Sequence, residues 1–271
     1  MGPGPGLFPR PAGGAEMPLR PGLVSVSFRR LGVPAVVDLA RRAGLRGIEW
    51  GGDVHAPHGD LGAARDAGAR TLDAGLAVSA YGSYYRLGQA GGPRFEDVLA
   101  SARALGAPLI RVWAGSRASA LVDDAEFERV AADARRAVAL AGGAGLGVAM
   151  EYHEGTLTDH PVAALRLLGE APGLRSLWQP PQGRPAAECA AGLRDLVGAG
   201  RLAHLHAFHW WPDAATRLPL AQGRDRWRAY LALAAQAPGE RYVSLEFVKD
   251  DSPRQLLQDA AALGEMLRMV M

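Results

Sequence analysis

The chain has 271 residues, of which 48% are hydrophobic and 21% are charged, and its formal net charge at pH 7 is +2. This length and apolar content are sufficient for one large folded domain. The small net charge, with no block of basic residues, argues against nucleic acid or an anionic membrane as a partner.

The first segment of the chain, residues 1–20, is rich in proline and glycine and has no apolar run typical of a signal peptide. This composition is typical of a flexible tail, so we expect the folded domain to span residues 21–271. No run of about 18 apolar residues follows that could cross a membrane. The one cysteine, Cys189, has no partner in the chain for a disulfide. These features predict a cytoplasmic protein.

Short apolar runs alternate with amphipathic segments along the rest of the chain. The runs predict strands at LVSVSF (23–28), GIEW (47–50), LAVSAYG (76–82), LIRVWAG (109–115), GVAMEYH (147–153), RSLWQ (175–179), LAHLHAF (202–208) and YVSLEF (242–247). The segments between them have apolar residues at helical spacing, and several begin after Pro or Asp and end at Gly. Eight strand–helix units in a chain of this length predict a single closed (β/α)8 TIM barrel.

Polar residues at the carboxyl ends of these strands are candidates for function, because that end of such a barrel carries the chemistry. They are, in chain order, Glu49, His55, Tyr81, Arg111, Trp113, Glu151, His153, Gln179, His206 and Glu246. Strand alternation places Glu151 and His153 on the same side of their strand. A carboxylate within an apolar strand is costly unless it is paired or binds a metal ion. Glu151, His206 and Glu246 therefore predict a site at the mouth of the barrel.

The segments AMEYHEG, LAHLHAFH and VSLEF, with GIEWGGDVHAPHGD after the second strand, resemble the xylose isomerase-like TIM barrels, specifically the sugar phosphate isomerase/epimerase superfamily. The resemblance extends from residue 23 to about residue 268. It implies a divalent metal ion held by Glu, Asp, His and Glu from the fifth to the eighth strand. The matching residues here are Glu151, Gln179, His206 and Glu246, so a glutamine stands where the family has aspartate.

The metal ligands that the resemblance implies also suggest a reaction. Carboxylate, amide and imidazole ligands suit Mn²⁺, Mg²⁺ or Co²⁺ better than Zn²⁺. The expected reaction is isomerisation or epimerisation of a sugar, ketose or polyol-derived ketone through a metal-stabilised enediolate. Glu151 and Glu246 would act as general bases and acids on different sides of the substrate.

Three alternatives to an isomerase or epimerase are considered. An inosose-type dehydratase would use the same scaffold and the same proton abstraction. A sugar-binding protein would have kept the pocket without turnover. A nuclease of the apurinic endonuclease type is disfavoured, because it needs further His and Asp ligands where this chain has Gln179 and its neighbours.

The other polar residues at the mouth are expected to contact the substrate. They are His55, Tyr81, Arg111, Trp113, His153 and His209. For Arg111 the alternative is an ion pair with a buried carboxylate, and for His153 and His209 it is a solvated role. His204 is expected to be a buried histidine that is hydrogen-bonded to a neighbour. The expected partner is a small carbohydrate, and the sequence leaves open both its phosphorylation and whether the protein is a homo-oligomer.

Overall fold

The computed structural model describes residues 18–213 and 215–270, and its strands form a closed parallel barrel and a small antiparallel pair. The strands are β1 (Leu19–Val24), β2 (Gly47–Gly51), β3 (Ala77–Arg86), β4 (Leu109–Trp113), β5 (Gly147–Glu151), β6 (Arg175–Trp178), β7 (Leu202–Ala207), β8 (His209–Trp210), β9 (Arg217–Leu218) and β10 (Arg241–Leu245). The order around the barrel is β1-β10-β7-β6-β5-β4-β3-β2, and β8 pairs with β9 outside it. The predicted (β/α)8 barrel is therefore confirmed.

A helix follows each barrel strand and covers its outer side. The helices are α1 (Val33–Arg42), α2 (Leu61–Asp73), α3 (Phe95–Leu105), α4 (Asp124–Gly143), α5 (Pro161–Glu170), α6 (Ala186–Gly198), α7 (Arg224–Ala234) and α8 (Pro253–Val270). Local sequence explains several of their boundaries: Asp60 and Asp123 cap the start of α2 and α4, and Gly106 ends α3 in a left-handed conformation. Among the described residues, no helix is both long and apolar enough to cross a membrane.

The first strand lies four residues earlier than predicted. Leu19–Val24 pairs in parallel with β10, and the predicted strand residues Ser25–Phe28 form a buried 3-10 turn instead. Pro21 has no amide hydrogen to donate, but its carbonyl accepts a hydrogen bond from the Arg46 amide just before β2 begins. The apolar run was misread because the turn is buried as completely as a strand would be. The barrel thus begins inside the predicted tail, and residues 1–17 lie outside the described residues.

A layer of small and apolar side chains fills the barrel interior below the mouth. Its members are Ala80, Leu109, Ala149, Leu177 and Ala203. Two of them, Leu109 and Ala149, precede Arg111 and Glu151 by two residues on the same strands. Because side chains two apart on a strand point the same way, the charged pair lies directly above this layer.

Candidate metal centre

Three buried side chains converge at the carboxyl end of the barrel. Glu151 ends β5, His206 lies on β7, and Glu246 follows the last residue of β10. Each offers a ligand atom, and these atoms lie within 4.8 Å of one another. His206 Nδ1 is 3.0 Å from Glu246 Oε2 and 3.5 Å from Glu151 Oε1. The two carboxylates therefore face the same nitrogen of the imidazole ring.

Two polar atoms of this cluster have no hydrogen-bond partner. His206 Nδ1 and Glu246 Oε2 are close, but their relative orientation is not that of a hydrogen bond, and both atoms are buried. Gln179 Oε1, just after β6, is also buried without a partner, but within the described residues no hydrogen bond or ion pair joins Gln179 to the cluster. Buried polar atoms normally have partners because leaving them unpaired costs free energy. An imidazole nitrogen and a carboxylate oxygen left in this way fit a divalent cation well.

The opposite nitrogen of the His206 ring contacts a further carboxylate, that of Glu49 on β2. Nε2 lies 2.9 Å from Glu49 Oε2, and Glu49 is 1% exposed. Burial alone would raise the pKa of Glu49, but the charges of His206 and Arg111 lower it to about 2. The sequence analysis placed Glu49 at the end of the second strand but gave it no role.

Arg111 on β4 lies between two of these carboxylates. Its Nε donates to Glu49 Oε1 over 2.6 Å, and its NH1 donates to Glu151 Oε2, which also accepts from Trp113 Nε1. Burial would lower the Arg111 pKa, but the charges of Glu151 and Glu49 raise it. Two roles were expected for Arg111 from the sequence: contact with the substrate, or an ion pair with a buried carboxylate. The structure shows the ion pair, and the substrate contact stays a prediction.

A glycine provides the space for this ion pair. Gly82 on β3 lies beside Arg111 in the strand register. A Cβ atom at Gly82 would lie 2.6 Å from Arg111 NH2 and 3.0 Å from Glu49 Oε1. Only glycine allows the guanidinium to pass β3 and reach Glu49 on the far strand.

The ionisation of His206 follows from its neighbours. Burial would lower its pKa, but the charges of Glu246 and Glu49 raise it well above the ordinary value. The surrounding carboxylates thus stabilise the protonated form of the ring. A cation can bind to Nδ1 only when that nitrogen carries no proton, so metal binding to His206 competes with protonation.

The model of one protein family, described as xylose isomerase-like TIM barrel, matches residues 37–268. The chain belongs to this family. The match includes every residue of the cluster described above. No curated protein matches the chain.

Three solved structures share the fold of this xylose isomerase-like barrel. The probable 3-DHS dehydratase AsbF from Bacillus anthracis has a TM-score of 0.73 at 18% identity, covering 90% of this chain and 98% of that one. IolI, solved with a zinc atom, has a TM-score of 0.70 at 11% identity, covering 93% and 99%. L-ribulose 3-epimerase has a TM-score of 0.65 at 16% identity, covering 93% and 95%. At these identities the likeness shows the fold alone.

Two of the predicted substrate contacts lie beside the cluster in this xylose isomerase-like barrel. Trp113 donates to Glu151, and its ring centroid is 5.0 Å from that of the half-buried His153. Tyr84 also lies here, although it was not predicted from the sequence. Its ring centroid is 5.3 Å from that of Trp113 and 5.4 Å from the Arg111 guanidinium carbon. The strand pattern gave no signal for Tyr84, because β3 shifts its register between Gly82 and Arg86. These rings form an aromatic rim next to Glu151.

The other predicted substrate contacts are directed elsewhere. His55 has Ser25 Oγ and the Leu31 carbonyl as partners of its two ring nitrogens. The Tyr81 hydroxyl lies 2.8 Å from the Ala56 carbonyl oxygen. His209 packs against the backbone of Gly223. Within the described residues, no hydrogen bond, ion pair or ring contact joins His55, Tyr81 or His209 to the metal-binding cluster, and their substrate roles stay predictions.

His204 lies one layer below His206 on β7. Its Nδ1 accepts from the Tyr242 amide over 3.1 Å, and its Nε2 lies 3.3 Å from the Ser79 carbonyl oxygen. Burial in the first place, and the charge of Arg175 in the second, lower its pKa to about 4. His204 is therefore a neutral, hydrogen-bonded residue of the barrel interior.

Proposed function

We propose that this protein is a metal-dependent isomerase or epimerase that acts on a sugar, ketose or polyol-derived ketone by proton transfer. The observation that carries the proposal is the convergence of ligand atoms from Glu151, His206 and Glu246 within 4.8 Å. His206 Nδ1 and Glu246 Oε2 have no hydrogen-bond partner there, which is the condition expected of atoms that bind a cation.

Glu151, His206 and Glu246 would hold the ion, and the Gln179 side chain offers a neutral oxygen on the neighbouring strand end. A bound divalent ion polarises a substrate carbonyl and lowers the cost of removing the proton from the adjacent carbon. The mostly oxygen ligand set suits Mn²⁺, Mg²⁺ or Co²⁺. Zinc belongs in any test as well, because the similar fold of IolI was solved with a zinc atom.

The two carboxylates differ in their readiness to accept a proton. Arg111 and Trp113 both donate to Glu151 Oε2, so the ionised form of Glu151 is stabilised. Burial raises the Glu151 pKa, but the charge of Arg111 and then His206 bring it below its usual value. Among the described residues, no side chain donates a hydrogen bond to Glu246 Oε2, although His206 Nδ1 lies 3.0 Å away. Glu246 is therefore the better base for the first proton transfer.

The direction of proton return determines the product. Return from Glu246 to the neighbouring carbon on the same face would isomerise the substrate. Return from Glu151 on the opposite face would invert the centre, and this requires Glu151 to carry a proton. Because Arg111 and Trp113 hold Glu151 ionised, the arrangement favours isomerisation over epimerisation. The aromatic rim of Tyr84, Trp113 and His153 would pack against the apolar face of a sugar.

A solvent-exchange experiment tests this function. The protein is stripped of metal, reloaded separately with Mn²⁺, Mg²⁺, Co²⁺ or Zn²⁺, and incubated in D2O with ketoses, sugar phosphates and inososes. We expect deuterium at the carbon next to the carbonyl of at least one substrate, and only with loaded protein. Exchange that persists in the stripped protein would contradict metal dependence.

The products separate the remaining alternatives. A product that has lost water identifies a dehydratase, which would begin with the same proton removal by Glu246. Sugar binding without exchange under any metal identifies a binding protein. Either outcome would replace the isomerase proposal.

A further inference from the structure

We propose that Glu49 is a positioning residue that determines which nitrogen of His206 is free to bind a metal ion. The proposal rests on the proposed metal centre but needs no turnover to be tested. Glu49 Oε2 lies 2.9 Å from His206 Nε2, on the side of the ring opposite to Glu151 and Glu246.

The position of one proton decides whether His206 can be a ligand. A neutral imidazole carries a single N–H, and its other nitrogen has the lone pair. An ionised carboxylate only accepts hydrogen bonds, so Glu49 places the N–H on Nε2. The lone pair then lies on Nδ1, the atom that faces Glu151 and Glu246. Carboxylates that fix a metal-binding histidine in this way recur in metalloproteins.

Glu49 is itself held in one orientation. Its second oxygen, Oε1, accepts from Arg111 Nε over 2.6 Å. Arg111 can only donate, and its guanidinium is fixed by Glu151 on one side and by the space at Gly82 on the other. Each Glu49 oxygen is therefore required as an acceptor, one for Arg111 and one for His206.

Glu49→Gln exposes this requirement without changing the size of the side chain. The single amide oxygen accepts the hydrogen bond from Arg111 Nε–H, so the amide NH2 group faces His206 Nε2. Nε2 must then accept, and the ring proton moves to Nδ1, where it blocks the metal. The reverse amide orientation sets the NH2 group against the Arg111 donor, which is also unfavourable.

The first test is Mn²⁺ affinity, measured by isothermal titration calorimetry without substrate. We expect Glu49→Gln to bind Mn²⁺ about 10- to 100-fold more weakly than the parent, the range typical of changes to a residue that orients a metal ligand. Glu126→Gln is the matched control, because Glu126 is also buried and ion-paired, with Arg117 NH1 at 2.6 Å, but lies on α4. Its Mn²⁺ affinity should equal that of the parent.

The second readout is the protonation of His206 itself. Protein labelled with ¹⁵N-histidine and loaded with diamagnetic Zn²⁺ should show His206 with its proton on Nε2 in the parent. Glu49→Gln should lose this signature, whereas a merely structural role for Glu49 would leave it unchanged. Weaker metal binding with an unchanged His206 tautomer would overturn the proposal.

A double variant separates the orientation of the amide at position 49 from the change in net charge, and circular dichroism establishes that each variant is folded before the titration. In Glu49→Gln/Arg111→Met the net charge of the cluster equals that of the parent, and the Gln oxygen is free to face His206 Nε2. We expect the double variant to bind Mn²⁺ more tightly than Glu49→Gln alone, and weaker binding would overturn the proposal. A parent protein that binds no metal would refute the proposed metal centre, whereas a metal-binding parent with an unaffected Glu49→Gln would refute only this inference.

Discussion

Replacing Arg111 by methionine should strongly destabilise the metal-free protein. Arg111 is 2% exposed and bridges Glu49 and Glu151, which are 1% and 2% exposed. Methionine fills a similar volume but leaves both carboxylates without their cation. Removing one partner of a buried ion pair typically costs about 3–5 kcal/mol, and we expect a loss of unfolding free energy in this range at pH 7.

The pKa of Glu49 gives an upper limit for the part of this effect that Glu49 contributes. The folded-state pKa is about 2, against an ordinary value of 4.5. A difference of about 2.5 pH units corresponds to about 3 kcal/mol of stability. Because the pKa is lowered on folding, this stabilisation is present above pH 4.5 and is lost as the pH falls from 4.5 to 2. The charge of His206 supplies the larger part of it and that of Arg111 the smaller, so the variant should also show a somewhat flatter decline over this pH range.

Urea unfolding in EDTA, followed by tryptophan fluorescence, measures the effect. Arg70→Met is the matched control, because Arg70 pairs with Asp66 at 2.7 Å but is 48% exposed on α2. That change should have no measurable effect, since exposed ion pairs are screened by solvent. Added Mn²⁺ should stabilise Arg111→Met more than the parent, because Arg111 no longer competes for Glu151. A loss below about 1 kcal/mol at pH 7 would refute the role assigned to this ion pair.

Three further predictions follow from the same site. Gln179→Asp adds a negative charge to a buried position, so titration should show several-fold tighter Mn²⁺ binding. A unit charge pair at ~4 Å is worth roughly 4 kcal/mol before desolvation and repulsion are subtracted. Equal affinities would exclude Gln179 as a ligand. Glu246→Gln should abolish deuterium exchange into an accepted substrate and Glu151→Gln should reduce it, with metal content measured in both; exchange that survives both single changes would contradict the assigned bases. His204→Asn should remove a pH dependence: unfolded histidine takes up a proton near pH 6.5, but folded His204 does so only near pH 4, so stability present above pH 6.5 is lost as the pH falls towards 4. If the unfolding free energy measured in urea falls between pH 6.5 and pH 4 by the same amount in His204→Asn as in the parent, His204 does not titrate in this way.

Local sequence patterns were sufficient to predict the barrel. Most barrel strands are short apolar runs, and several of the helices have local start and stop residues, so these elements do not depend on distant parts of the chain. The error at β1 arose where this local signal is ambiguous. The apolar residues Val26 and Phe28 are buried in a turn, and Pro21 lies in a strand.

Contacts across the barrel could not be read from the sequence in the same way. Glu49 and His206 lie on β2 and β7, which are not neighbours, and they meet only because the sheet closes and sets the register of every strand. The same holds for Gly82, whose role appears only when Arg111 is seen to cross β3. The sequence thus predicts Glu151, His206 and Glu246 from their positions at strand ends. It does not predict the hydrogen bonds with Glu49 and Arg111 that orient them.

The most direct test of the account is the location of a bound ion. Crystals loaded with Mn²⁺ should show one strong anomalous scattering peak at about 2.0–2.2 Å from His206 Nδ1, with oxygens of Glu151 and Glu246 at similar distances. The Nε2 atom of the same ring should remain hydrogen-bonded to Glu49. No peak at this position, or a peak on the Nε2 side of the ring, would contradict the central claim.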